Sequence, residues 1–212
     1  DRNTSLDSRL IAAFQPDSLQ AEALRSLRSE LLLRYFNRGE HLSLALVGAE
    51  NDVGLALTVA NLAISFAQLG KRTLLIDGNL RSPQLHKLFG LNERNPGLTD
   101  LIAARTLVEP IAIPDLGALW VLAAGTQAPN PQELLAGKHY ADRLHDLSTH
   151  FEVVIINTPP LNHIADARLI AAQSGAALIV AQQNVSRVQD LESICSTLRS
   201  LGVRLLGTAL QQ

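Results

Sequence analysis

Short, almost unbroken apolar runs alternate along this chain with longer stretches of helical character, and no other feature restricts the fold as much. Leu42 to Val47, Thr73 to Ile76, Leu119 to Ala123, Val153 to Ile156, Ala177 to Ala181 and Leu205 to Leu210 are too short for buried helices and too apolar for loops. They read as strands covered on both faces. Val53 to Leu69 is long, apolar-rich and followed by Gly70, which predicts a helix. Lys138 to Thr149, Ala165 to Gln173 and Arg187 to Leu201 supply further helices. Strands that are apolar on both sides need helices on both sides, so the fold class is α/β, a parallel sheet with two helical layers. The stretch from Gly90 to Gln132 carries Pro96, Pro110, Pro114, Pro129 and Pro131 and is expected to be rich in loops.

Ahead of the first strand, Leu24, Leu27, Leu31 and Tyr35 recur at three- and four-residue steps. Asp17 or Ser18 can cap the helix they imply, and it should stop near Asn37 to Gly39. Residues 1–16 are expected to form a mobile lead-in, and residues 17–212 one domain.

Eighteen Lys and Arg against 20 Asp and Glu give a net charge of -2, so no global field favours nucleic acid. The lone cysteine, Cys195, excludes an intramolecular disulfide and a multi-cysteine zinc site. No apolar run approaches the ~18–20 residues of a membrane span, and the opening DRNTSLDSRL is not signal-like, which implies a cytoplasmic protein. The sequence contains no methionine, and the expectation is a fragment or a processed product. His41, His86, His139, His145, His150 and His163 have no spacing that suggests a metal cluster, so no metal site is expected from them.

Ligands of parallel α/β sheets bind at the carboxyl ends of strands. Three such ends stand out: Val47 to Ala56, Leu75 to Arg81, and Ile155 to Pro160. Together with Glu22-Ala23-Leu24-Arg25-Ser26-Leu27-Arg28, Leu85 to Leu91, Pro129 to Leu135, Thr158-Pro159-Pro160 and Ala165-Asp166-Ala167, they carry a resemblance. From about Ser18 onward the chain resembles the cytoplasmic domain of bacterial tyrosine autokinases, which partner membrane chain-length regulators in exopolysaccharide and capsule synthesis. The resemblance implies a single P-loop NTPase-like domain, with ATP and Mg²⁺ as the family's cofactors.

The departures from the family pattern bear on chemistry. The family loop reads Ser-x-x-x-Gly-Glu-Gly-Lys-Ser/Thr. Aligned through Thr58 to Ala63, this chain keeps Gly54 but carries Asp52 for the earlier glycine, Leu55 for the lysine and Ala56 for the hydroxyl. That lysine neutralises the β- and γ-phosphates, and the hydroxyl takes a magnesium position. Glu50 and Asp52 add negative charge where a triphosphate would sit, and no cation lies between Gly48 and Thr58. At the second strand end Asp77 is kept but Asn79 replaces an aspartate, and at the third Asn157 replaces another. A carboxamide holds Mg²⁺ less well than a carboxylate.

Glu22, Arg25 and Arg28 match the family's ring-forming motif in full, which implies an association surface. Tyr35 and Tyr140 are the only tyrosines, so the family's tyrosine cluster is missing from these residues. The resulting expectation is a kinase-like pseudoenzyme without catalytic residues, cofactor or metal. It would act as a regulatory or scaffolding subunit of exopolysaccharide synthesis at the inner face of the plasma membrane, bound to a membrane chain-length regulator. Copies of itself or an active paralogue are further possible partners. Three alternatives stay open: an active autokinase in which Arg81 or a neighbouring subunit replaces the lysine, a module for another anion or nucleotide at Gly54, and a pure scaffold dependent on Arg25 and Arg28.

Overall fold

A computed structural model describes residues 6–36, 43–48, 52–103, 107–160 and 164–211, with the side chain of residue 52 excepted. The strands are β1 (Ser43–Gly48), β2 (Thr73–Asp77), β3 (Ile111–Ala112), β4 (Leu119–Leu122), β5 (Val153–Asn157), β6 (Gly175–Gln182) and β7 (Arg204–Gln211). They form one sheet in the order β3-β4-β2-β5-β1-β6-β7, parallel throughout except for the short β3–β4 pair. Each of the six apolar runs thus falls on a strand, with ends shifted by at most two residues. The added strand, β3, has two residues and too little sequence to carry a period.

The helices are α1 (Ile11–Phe14), α2 (Leu19–Arg34), α3 (Asp52–Gln68), α4 (Leu85–Leu88), α5 (Leu98–Ile102), α6 (Pro131–Ala136), α7 (Lys138–His150), α8 (Ile164–Ser174) and α9 (Val188–Ser200). Alternate residues of β1 and β5 face opposite cores. Leu44, Leu46, Val153 and Ile155 pack with α2 and α3, while Ala45, Val47, Val154 and Ile156 pack with α7, α8 and α9. The sheet is covered on both faces, as its apolar strands require.

Residues 6–15 are not the mobile lead-in that their mixed composition implies. Leu10 is fully buried, and Asn61 on α3 accepts the N–H of Ala12 at 2.9 Å and donates to the carbonyl of Arg9 at 3.4 Å. Gln68 donates to the Ala12 carbonyl at 2.7 Å. The anchors lie 49–56 residues away in sequence, where local reading has no access to them. Ser18 caps α2 by accepting the Ala21 N–H at 3.2 Å. That helix ends at Arg34, earlier than its apolar spacing implies, and its expected stop at residues 37–39 lies outside the described residues.

Candidate functional site

Parallel pairing sets the three sequence-marked strand ends side by side. Leu46 of β1 pairs with Asn157 of β5, and Asn157 pairs with Asp77 of β2. Gly48 follows on β1, and Gly54, Leu55 and Ala56 open α3 above it. Glu50 and the Asp52 side chain lie outside the described residues.

At this sheet edge Leu55 folds back over the end of β1. A Cβ placed on Gly48 would meet the Leu55 methyl carbons at 2.9 and 3.0 Å, so the isobutyl group already rests on the Gly48 Cα. Leu55 is 4% exposed and belongs to the apolar cluster that contains Leu44, Leu46 and Val180; Ala56 is fully buried. The pull is hydrophobic: an apolar side chain on the first turn of a buried helix gains by covering the strand rather than reaching for solvent. Neither residue offers a hydrogen-bonding group.

Asp77 is fully buried and accepts four N–H bonds. Its Oδ1 takes the amide of Asn79 at 3.2 Å and the Asn157 Nδ2 at 3.0 Å; its Oδ2 takes the amides of Gln84 at 3.0 Å and Leu85 at 2.9 Å. The carboxylate therefore caps α4 and ties β5 to the loop after β2. Burial pushes the Asp77 carboxyl above its ordinary range, against the pull of these donors. Asn79 closes the turn by accepting the Ser82 amide at 3.1 Å. Gly78 is compelled by proximity, because a Cβ there would lie 2.7 Å from the Asn157 carbonyl. The Asn157 Oδ1 is buried with no partner among the described residues.

Arg81, a candidate stand-in for the missing lysine, is held by Asp166 near the start of α8. Its Nε sits 2.6 Å from Oδ2 and its Nη2 3.3 Å from Oδ1. Asp166 is 2% exposed, so it needs this partner. Arg81→Ala should lower unfolding stability by about 2 kcal/mol, below the usual figure for a buried pair because water reaches the Arg81 side. Urea denaturation checks this, and a loss under about 0.5 kcal/mol would show the pair to be incidental.

The third motif stands apart on α2. Glu22 and Arg25 bind each other, with Nη2–Oε2 at 2.6 Å, and Arg25 also donates to the Pro16 carbonyl at 2.6 Å. Arg28 turns inward and donates to the Ser65 carbonyl on α3 at 2.9 Å, while its Nε is buried with no partner among the described residues. The helical spacing placed these residues near one another but held no signal for Arg28 crossing to α3. Sequence reasoning also missed Asp166 as the partner of Arg81, 85 residues away.

Both tyrosines are interior. Tyr35 is 2% exposed and its hydroxyl donates to the Ser43 carbonyl at 3.0 Å; Tyr140 is fully buried. Among the described residues no helix is long and apolar enough to cross a membrane.

No protein-family model matches the chain. It is 31% identical over 204 residues to the tyrosine-protein kinase Wzc of Salmonella typhi, covering 96% of this chain but 28% of that protein. The chain thus spans little more than a quarter of that longer relative. It is 30% identical over 208 residues to the tyrosine-protein kinase YwqD of Bacillus subtilis, covering 98% of this chain and 87% of that protein. The kinase domain of the Escherichia coli tyrosine kinase ETK superposes with a TM-score of 0.91 at 27% identity, covering all of this chain and 82% of that one. The Pyrococcus furiosus cell division ATPase MinD, at 21% identity and a TM-score of 0.68 over 81% of this chain and 72% of that one, shares the P-loop NTPase-like fold.

Proposed function

We propose that this chain, which belongs to the bacterial tyrosine-protein kinase family, is a catalytically degenerate member serving as a regulatory or scaffolding subunit in exopolysaccharide synthesis and chain-length control. The observation that carries this reading is Leu55 lying on Gly48, where the family's lysine would reach phosphate. A methyl group in van der Waals contact with the strand end excludes the phosphate without supplying charge.

The rest of the edge supports it. Ala56 has no oxygen for a metal. Both Asp77 oxygens accept two N–H bonds each, which uses the lone pairs a cation would need. Asn79 and Asn157 bring no charge. These residues do not fit a magnesium nucleotide. In the rival reading of an active autokinase that uses Arg81, the guanidinium already holds the buried Asp166 carboxylate through Nε and Nη2, and the buried hydroxyls of Tyr35 and Tyr140 are poor phosphate acceptors within these residues.

The family resemblance supports a membrane chain-length regulator as partner, which would hold the protein at the cytoplasmic face of the plasma membrane. Association with its own kind or an active paralogue would use the α2 surface around Glu22, Arg25 and Arg28. Isothermal titration with ATP and Mg²⁺ tests the reading: no heat of binding is expected at ligand concentrations up to about 1 mM, whereas micromolar affinity would overturn it.

A further inference from the structure

The sheet ends on an open strand. Among the described residues β7 has β6 as its single neighbour, and outside that ladder its backbone bonds only through the Gln211 carbonyl, which accepts the Gln183 amide at 2.8 Å. No residue of β7 is buried, whereas six of the eight in β6 are. Edge strands are usually guarded by charge, proline or a bulge. Here the one charged residue, Arg204, stands at the start of the strand, proline is lacking, and the bulge falls before Thr208. Residues 208–211 then run in regular register with residues 179–182, and their outer edge has no partner strand.

Beside this stretch lies a groove of about 860 Å³ between β7, α3 and the first half of α2. Leu24 and Leu27 of α2 and Val180 and Ala209 of the sheet give it apolar walls, and Leu19 and Leu210, 88% and 64% exposed, line it as well. Its polar residues are largely committed. Arg9 pairs with Asp7 at 2.8 Å, the Thr58 hydroxyl donates to the Gly54 carbonyl at 3.2 Å, and the Asn61 carboxamide bonds the backbone of Arg9, Ala12 and Leu57. Gln20 and Gln211 bring hydrogen-bonding groups without charge. The groove therefore favours apolar, uncharged groups, while the edge beside it offers backbone N–H and C=O groups. A lipid chain would fill the groove but leave the edge unbonded, and a helix would arrive with its backbone already bonded to itself. An extended chain meets both demands, since side chains at every second position can enter the groove.

We propose that the outer edge of β7 and this groove receive an extended segment of a partner polypeptide as an eighth strand, its apolar side chains alternating into the groove. Main-chain bonds to residues 208–211 supply affinity, and the groove selects aliphatic residues over charged ones. Neither Glu22 nor Arg25 lines the groove, so this contact differs from association through those residues. The inference does not depend on the state of the strand-end site, and ATP binding would leave it standing.

Fluorescence anisotropy with a labelled peptide of alternating valine and threonine, tipped with lysine for solubility, tests the proposal beside two twins. One twin carries a central proline, and the other has serine for every valine. The parent peptide should bind at least about tenfold more tightly than either twin, and Leu19→Ser/Leu210→Ser should weaken it at least about fivefold. Amide hydrogen exchange at residues 208–211 should slow at least about tenfold with the peptide bound, which filling the groove alone would not produce. Equal binding of either twin, unchanged affinity in the double variant, or unchanged exchange would each overturn the proposal. So would a dimer in sedimentation velocity that the double variant abolishes, because a second copy would then occupy the site. Both substituted side chains are exposed, and circular dichroism confirms that the variant is folded.

Discussion

Asn157→Asp is expected to cost about 3–5 kcal/mol of unfolding stability at pH 7.5, although it restores the residue type that the resembled family carries at this strand end. Asn157 Nδ2 stands 3.0 Å from Asp77 Oδ1, and both residues are almost wholly buried. A second carboxylate there would replace a donor by a like charge, and two such groups cannot both ionise. One of the pair takes up a proton, so its folded-state titration rises above its unfolded value near 4. The sign follows: the penalty is small below that unfolded value and grows as pH rises through the raised one. Urea denaturation of variant and parent should therefore differ little at pH 4 and most at pH 7.5. Equal stability at pH 7.5 would mean that something already satisfies the orphaned Asn157 Oδ1 and can neutralise a carboxylate in its place.

The same residue shows how far the sequence could be read. Its position at the end of an apolar run was plain, because a fully buried parallel strand writes itself as consecutive apolar residues. The loss of charge at Leu55, Asn79 and Asn157 and of a hydroxyl at Ala56 was equally plain, because residue type alone decides what can bind a phosphate or ligate a metal. What replaced the lost chemistry was not readable. Leu55 could have pointed at solvent, and only the apolar cluster between β1 and α3 shows why it lies on Gly48. The Asp77–Asn157 bond joins residues 80 apart, and the Arg81–Asp166 pair joins residues 85 apart. The cleft lined by Lys87 and Thr126 has the same origin: β4 follows β2 across a loop-rich stretch, yet the two strands are sheet neighbours. Long-range pairing, rather than local propensity, built every part that the motifs did not name.

Asp77→Ala should be nearly as damaging, with a loss of about 3–4 kcal/mol, and its pattern of effects separates a structural aspartate from a catalytic one. The substitution leaves the amides of Asn79, Gln84 and Leu85 and the Asn157 Nδ2 without an acceptor, each a buried donor worth roughly 1–3 kcal/mol when unsatisfied, though relaxation and water entry offset part of the sum. In a nucleotide-dependent enzyme the same change would chiefly abolish metal-dependent chemistry at little cost to the fold. On the proposed reading, thermal unfolding should shift down by many degrees with no accompanying change in nucleotide binding, and hydrogen exchange should rise first at Gln84 and Leu85 as α4 loses its cap. Asp77→Asn in an Asn157→Asp background gives the sharper reading. The exchanged pair can again place one carboxamide N–H on one carboxylate, and the carboxamide oxygen introduced at position 77 can still accept the Gln84 and Leu85 amides. The double variant should therefore be more stable than Asn157→Asp alone by at least about 1 kcal/mol, a coupling expected of residues in direct contact. Strict additivity of the two changes would show that charge balance across this bond does not hold the strand ends together.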